Sequence, residues 1–275
     1  MIKRKKRAAI ISFLVGWTLS LVILVPFMVI VLNSFKTKRD SVLMLLGWPR
    51  DGWILDNYRD VLGGGDIIRS FFNSLIISSG CVILCMLITA MAAFVIKRRR
   101  TWFHSSVFFL FFAGLIAPMN YITTLQLLKL LGLNGSFMGI ILVYTAMGIP
   151  FAMFLYYNFM SNIPQEIDEA CIIDGGNTMQ LFFRVVFPLL KPITITGATL
   201  TFISSWNDFI SPLYLLNSSQ KRGMILMVYN YWGFLNQEWG KICAVIVLSL
   251  LPILALYIAM QRYIVAGMTS GAIKG

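Results

Sequence analysis

The residue types that most often carry chemistry are few and scattered in this sequence. Cys81 and Cys85 lie one helical turn apart and could form a ligand pair, but no further ligand lies near them, and buried thiols commonly act as small hydrophobic side chains. His104 is the only histidine, which excludes a His-Glu-x-x-His zinc site. The segment Gly63–Asp66 fits the Gly-x-Gly-Asp pattern of intramembrane aspartyl proteases, yet it lies in a polar stretch where a buried carboxylate pair could not form. A membrane-embedded enzyme is therefore a weak hypothesis.

The sequence also lacks the usual nucleotide-binding motif. No Gly-x-x-x-x-Gly-Lys-Ser/Thr phosphate loop occurs, so the usual glycine-rich cradle for ATP is absent. We expect no cofactor in this chain, and any ATP and Mg²⁺ would have to be bound by other subunits.

The composition is that of a membrane protein. The 275 residues are 58% hydrophobic and 12% charged, with a mean hydropathy of +0.79, whereas an average soluble domain is about 25% charged. Six apolar runs reach the roughly 20 residues that a helix needs to cross a bilayer, and they are too long and too uniform for barrel strands. The runs are Ala8–Leu32, Ser74–Ile96, Ser105–Leu128, Ser136–Phe159, Ile193–Leu216 and Ile242–Met260. We therefore predict an all-α membrane protein with six transmembrane helices, the first of them a retained span and not a cleaved signal.

The charge distribution orients these spans. The net charge of +12 is concentrated in two acid-free clusters, Lys3–Arg7 and Lys97–Arg100, which adjoin ends of the first and second runs. Such clusters are typical of cytoplasmic flanks, whereas Lys36–Arg69 mixes basic residues with aspartates and suits the outer face. We expect both termini in the cytoplasm, and we attribute the positive charge to topology instead of nucleic-acid binding.

One cytoplasmic loop, residues 162–191, is too long to be a simple connection. Its first half, Pro164–Gly175, has an early proline, acids near the helix start and glycine at the stop, which predicts a short helix. Asn177 and Gln180 form a plausible capping box for a second helix that runs to Pro188. The sequence therefore predicts a helix-turn-helix against the cytoplasmic face of the membrane.

Four segments carry a resemblance to a known family. In the loop, Glu169-Ala170-Cys171, then Asp174-Gly175, then Val185, Phe187 and Pro188 are similar to the EAA loop of ABC importer permeases, with cysteine in place of the second alanine and phenylalanine in place of a leucine. Asn73–Leu75 at the start of the second run, Trp206–Phe209 in the fifth, and the tail Gln261–Gly275 resemble the smaller permease of maltose-type sugar importers. The resemblance covers nearly the whole chain.

The resemblance implies a type I ABC importer permease fold and a set of partners. These are a homologous second permease, two ATPase subunits that dock on the EAA loop, and an extracytoplasmic solute-binding protein. The implied ATPase-coupling residues are Glu169, Ala170, Cys171, Asp174, Gly175, Val185 and Pro188. The alternative for this loop is an amphipathic hairpin on lipid head groups, which its acids disfavour because the cytoplasmic leaflet is anionic.

Asn207 and Asp208 are candidates for the pore. A carboxylate within an apolar run is costly unless it is paired or hydrated, so a site on the solute path is the default hypothesis for Asp208. The alternative places Asp208 near the interface, with Trp206 and Tyr214 as belt residues.

The outer loop before the last run mixes aromatic and polar side chains. Such residues stack on sugar rings or anchor protein partners, and the resemblance implies contact with the solute receptor. The candidates are Tyr229, Tyr231, Trp232, Asn236 and Gln237. An interfacial aromatic belt is the alternative.

These expectations divide the chain into residues 1–72, a permease core at 73–262, and a cytoplasmic tail at 263–275. They favour a non-catalytic subunit of a sugar importer. The competing hypothesis is an ion-coupled secondary transporter, which would need a path of intramembrane ionisable residues, and Asp208 is the one candidate acid.

Overall fold

The computed structural model describes residues 2–99, 101–233 and 237–269, with side chains at 12–99, 101–233 and 237–261. These residues form helices and no strand, which confirms the all-α prediction. The helices are α1 (Ile2–Ser34), α2 (Lys38–Ser41), α3 (Asp56–Gly63), α4 (Asp66–Arg98), α5 (Trp102–Ala113), α6 (Tyr121–Leu130), α7 (Phe137–Met160), α8 (Glu166–Ile173), α9 (Thr178–Leu189), α10 (Lys191–Asn207), α11 (Ile210–Leu215) and α12 (Trp239–Thr269). Short 3₁₀ segments cover Ser219–Lys221 and Met224–Asn230.

Four described helices are individually long and apolar enough to cross a bilayer: α1 from Ser12, α4, α7, and α12 up to Gln261. Helices α9 and α10 meet the same test only as a pair, and they are bent by 75° at the break between them. The predicted first, second, fourth and sixth runs correspond to the four continuous helices. The count of six spanning helices is not confirmed.

The other two predicted spans are interrupted. The third run falls on α5 and α6, which are separated by residues 114–120. Because α5 has 12 residues, its rise is about 18 Å, short of a bilayer's roughly 30 Å hydrocarbon core. The fifth run breaks between α10 and α11 at Asp208.

The described residues form two compact units, one within Met1–Arg69 and Met227–Leu251 and the other within Ser70–Leu226 and Pro252–Gly275. In the first unit, the Asn57 side-chain amide donates to the carbonyl oxygens of Ser34 and Lys36, each at 2.9 Å. Gly240 packs against this amide, since a Cβ there would lie 2.6 Å from Asn57 Nδ2. The end of α1, α3 and the start of α12 are thereby joined.

The second unit is built on close contact between α4 and α7. A Cβ at Gly148 would lie 3.0 Å from Cys85 Sγ, and Ala90 and Ala93 of α4 are fully buried. Small residues let helix backbones approach closely inside a membrane, where the hydrophobic effect does not drive helices together. The core continues to α10, where the Tyr156 hydroxyl donates to Thr194 Oγ1 at 2.9 Å. Cys85 thus acts as a small buried side chain in this core.

Candidate functional site

The loop 162–191 contains the two predicted helices, α8 and α9. Helix α8 begins at Glu166, so Pro164 lies two residues before its first residue and not in its first turn. It ends in a Schellman motif, because Gly176 N donates to Cys171 O at 2.9 Å and Gly175 N donates to Ile172 O at 3.0 Å. Gly175 has φ +80°, a left-handed conformation that favours glycine.

The predicted capping box at the start of α9 is present. Gln180 N donates to Asn177 Oδ1 and Asn177 N donates to Gln180 Oε1, each at 2.9 Å. Further along, Leu181–Val186 forms wider π-helical turns. These turns precede Pro188, which lacks an N–H and whose ring would clash with the carbonyl four residues earlier in a regular α-helix.

An ion pair joins α8 to the C-terminal end of α4. Arg98 Nε lies 2.6 Å from Asp168 Oδ2, and Arg98 Nη2 donates to Asp168 Oδ1 at 3.0 Å, with both side chains 13% exposed. The same guanidinium donates to the carbonyl oxygens of Ile163 at 3.2 Å and Pro164 at 3.4 Å. The ion pair and its one charge-assisted hydrogen bond hold α8 against the end of α4. This contact was not predicted from the sequence. The only indication was that the basic cluster after the second run and the acids of the loop 162–191 were assigned to the same face of the membrane.

The outward surface of α8 is open. Glu169 and Ala170 are exposed, and so are the neighbouring apolar side chains Ile172 and Ile173, which are 61% and 84% exposed. Neither isoleucine belongs to a motif that the sequence marks as functional. The result is an acidic helix with an apolar end.

A cavity of about 530 Å³ lies between α8 and α9. It brings together five of the seven predicted coupling residues, and Arg184 contributes a positive charge to the lining. The five are Ala170, Cys171, Asp174, Gly175 and Val185. Glu169 lies outside the lining on α8, and Pro188 is exposed near the end of α9, next to the 75° bend.

Asp208 lies at the break between α10 and α11 and caps α11. Its backbone is extended, and its Oδ1 accepts hydrogen bonds from Ile210 N at 2.9 Å and Ser211 N at 3.4 Å. A carboxylate at a helix N-terminus satisfies otherwise unpaired N–H groups. Asp208 therefore has a structural role that its position in an apolar run did not reveal.

Asn207 and Asp208 also line a cavity of about 670 Å³. Aromatic side chains from α6 and α7 and hydroxyl groups from α10 complete much of the wall. These residues are Tyr121, Tyr144, Phe151, Thr201, Ser204 and Ser205. From the start of α7 at Phe137, Tyr144 and Phe151 lie about 10 Å and 21 Å along the helix. The cavity thus follows the middle of α7.

Tyr144 places an unsatisfied hydroxyl at this cavity. The residue is 6% exposed, and its oxygen lies near Asp208 and Ser211 without hydrogen-bond geometry to any group among the described residues. A buried polar group without a partner costs about 1–3 kcal/mol. Such a group is satisfied by a water or by a ligand hydroxyl.

Some of the outer-loop residues predicted to contact the solute receptor are exposed. Tyr229 and Trp232 are 42% and 47% exposed, and the Trp232 ring packs edge-on against Trp239 at 5.3 Å. Gln237 is half-buried, and Asn236 lies outside the described residues.

Tyr231 is half-buried beside a charged cluster in the same unit. Lys241 Nζ lies 2.9 Å from both the Asp60 and Glu238 carboxylates and 5.9 Å from the centre of the Tyr231 ring. Burial raises the pKa of Tyr231, and the nearby Lys241 opposes that shift. The phenol is therefore a neutral hydrogen-bonding group at physiological pH.

Comparison with known proteins gives the family. Residues 3–270 match the family described as "Binding-protein-dependent transport system inner membrane component". The multiple sugar-binding transport system permease protein MsmG of Streptococcus mutans is 33% identical over 262 residues, covering 92% of this chain and 93% of that protein. The probable starch degradation products transport system permease protein AmyC of Thermoanaerobacterium thermosulfurigenes is 28% identical over 270 residues, covering 96% of each.

Solved structures give the same fold. A chain of a bacterial ABC transporter involved in the import of the acidic polysaccharide alginate aligns with a TM-score of 0.81 at 21% identity, covering 94% of this chain and 96% of that one. A chain of the MetNI methionine ABC transporter aligns with a TM-score of 0.52 at 18% identity, covering 73% of this chain. With the helices, the loop and the cavity in place, these matches show that the chain belongs to the family of inner-membrane components of binding-protein-dependent transport systems.

Proposed function

We propose that this chain is one of two permease subunits in an ATP-driven importer of a mono- or oligosaccharide, delivered by an extracytoplasmic binding protein. Family membership identifies it as a permease, and sugar transport is what the names of the two relatives describe. ATP and Mg²⁺ are bound by two separate ATPase subunits, and this chain carries out no covalent chemistry.

The observation that carries the proposal is that helix α8 is tethered to α4 and exposes its outer surface. Its acidic and apolar side chains are exposed, while Arg98 holds its Asp168 to the end of α4. A rigid helix fixed to a span transmits movement of a docked domain to that span. ATPase closure therefore displaces α8, and α4 follows through the ion pair.

The docking surface consists of Glu169 and Ala170 with the exposed Ile172 and Ile173. Apolar side chains ringed by charge are typical of protein contacts. The same acids would be repelled by an anionic lipid leaflet, which disfavours the alternative of a hairpin resting on the membrane.

The solute path runs along the cavity that Asn207 and Asp208 line. On the other side of the membrane, the exposed Tyr229 and Trp232 are candidates for contact with the solute receptor, together with Tyr231, Asn236 and Gln237. The ion-coupled alternative is not favoured, because the family is one of binding-protein-dependent systems. The cavity lining, moreover, includes a single ionisable carboxylate among its described residues.

Site-specific crosslinking tests the docking assignment. Ile173→Cys should crosslink to an ATPase subunit in membranes, and the yield should change when ATP is bound. Trp102→Cys is the control, because Trp102 is 85% exposed and follows the basic cluster assigned to the same face. Equal crosslinking from both positions, or none from Ile173→Cys in a complex that imports sugar, would contradict docking on α8.

A further inference from the structure

We propose, resting on the sugar-import function above, that this chain itself binds a neutral sugar unit in the cavity at Asp208 and that the Asp208 carboxylate selects against anionic sugars. The cavity volume of about 670 Å³ lies within the range of small-molecule sites, which is about 300–1,000 Å³. The subunit is then a contributor to solute selection and not only a wall of the pore.

The lining has the chemistry that a sugar requires. Tyr121, Tyr144 and Phe151 offer aromatic faces for the apolar faces of sugar rings. Asn207 offers an amide that donates and accepts, and Asp208 offers carboxylate oxygens that accept from ring hydroxyls. Aromatic surface with a few polar groups is the usual composition of a ligand site.

Two groups in this wall are poised for a ligand. The buried Tyr144 hydroxyl has no hydrogen-bond partner among the described residues, so a sugar hydroxyl would satisfy it. Asp208 lines the cavity, and the capping bonds to its Oδ1 leave acceptor capacity on the carboxylate for a ligand hydroxyl. A hydrogen bond to a carboxylate is stronger than one between neutral groups.

The charge of the wall sets the selectivity. Asp208 supplies a negative charge, and no Lys, Arg or His occurs in the described lining. A carboxylate or sulfonate on the solute would be repelled by Asp208 in surroundings where the effective dielectric is well below that of water. Neutral sugars do not encounter this repulsion.

Protection of a cysteine in the cavity wall tests the proposal. Ser204, an exposed lining residue, is replaced in S204C, and the intact complex purified through this chain is labelled with a maleimide. The probes are matched pairs that differ in one carboxylate, glucose with glucuronate and galactose with galacturonate, at constant ionic strength. The complex without S204C gives the background from native cysteines.

The neutral member of each pair should protect S204C at a concentration about tenfold lower than its anionic partner, which corresponds to about 1.4 kcal/mol. Asp208→Asn should bring the two within about twofold, because the amide oxygen keeps the cap of α11 while the charge is lost. Tyr144→Phe should weaken protection by the neutral sugar several-fold without changing the ratio. Asp56→Asn, an exposed acid outside the cavity lining, should change neither.

Equal protection by both members, an unchanged ratio in Asp208→Asn, or no protection in a complex that still imports a sugar would each overturn the proposal. Uptake of the same sugars into proteoliposomes with the solute receptor is measured in parallel. If no sugar is taken up and no ATPase co-purifies with the chain, the proposed function itself is wrong. The two failures are thus distinguishable.

Discussion

At the scale of single residues, Gly175 fixes the shape of the loop 162–191. Its φ of +80° lets the chain reverse after α8 while Gly175 N and Gly176 N close on the carbonyls of Ile172 and Cys171. A side chain at Gly175 would meet no atom within 4 Å, so the constraint is conformational and not steric crowding. The position of α8 relative to α9 therefore depends on backbone freedom at one residue.

We predict that Gly175→Val uncouples the transporter while Gly175→Asn is tolerated. A β-branched residue in the left-handed region costs about 1–2 kcal/mol or more, whereas asparagine adopts that region comparatively easily. Sugar uptake and ATPase co-purification should fall several-fold in the valine variant and less than twofold in the asparagine variant. Gly47→Val is the control, because Gly47 has open space around it and its φ lies outside the left-handed region. Similar losses in all three variants would contradict this role for Gly175.

At the scale of elements, features that depend on neighbouring residues were predicted from the sequence, whereas contacts between distant residues were not. The capping box of Asn177 and Gln180 and the glycine stop of α8 were predicted because they depend on residues three to five apart. The Arg98–Asp168 pair joins residues 70 positions apart, so no local pattern specifies it.

The cavity at Asp208 shows the same limit. Hydrophobicity marked Asn207 and Asp208 as candidates, but the aromatic wall comes from α6 and α7, which are distant in sequence. The breaks after α5 and α10 were hidden because apolar composition continues across both. Hydropathy indicates whether a segment can lie in an apolar environment. It does not indicate where a helix is interrupted, because that depends on local capping.

We predict that Arg98→Ala loosens α8 and lowers uptake more than it lowers ATPase binding. Removing the guanidinium leaves Asp168 without its ion pair and without the charge-assisted hydrogen bond that it accepts from Arg98 Nη2, a bond worth roughly 1.5–3 kcal/mol. Hydrogen exchange of the α8 amides should accelerate, and the sugar imported per ATP hydrolysed should fall several-fold. Arg98→Lys should be intermediate, because lysine cannot bind the carboxylate in the same two-pronged geometry.

Arg99→Ala is the matched control for this prediction. Arg99 is the next residue, carries the same charge and is exposed. Uniform losses in Arg98→Ala and Arg99→Ala would show that net charge at the cytoplasmic flank, and not the ion pair, carries the effect. An unchanged exchange rate in α8 would contradict the tether directly.

At the scale of the whole molecule, charge and apolar length together define how the chain lies in the membrane. The basic residues Lys97–Arg99 follow the apolar part of α4, and the mixed charges of Lys36–Arg69 lie at the opposite end of that span. The Arg98–Asp168 ion pair places α8 on the same side of the membrane as Lys97–Arg99, and such a basic flank is typical of the cytoplasmic side. The structure gives four continuous spans and one bent pair, which leaves the segment from α5 to α6 to decide the count.

We predict that α5 and α6 together cross the membrane once. Trp102 and Leu130 lie at the two ends of this segment and are 85% and 86% exposed. In cells, a membrane-impermeant maleimide should label Leu130→Cys from outside and reach Trp102→Cys only in inside-out vesicles. Native Cys171, which is half-buried on α8, should follow Trp102→Cys, while Cys81, Cys85 and Cys243 are buried and give little background. If both introduced cysteines were labelled from the same side, the segment would be re-entrant, and α7 alone would carry α8 to the side of the membrane opposite Arg98, which the Arg98–Asp168 ion pair does not allow.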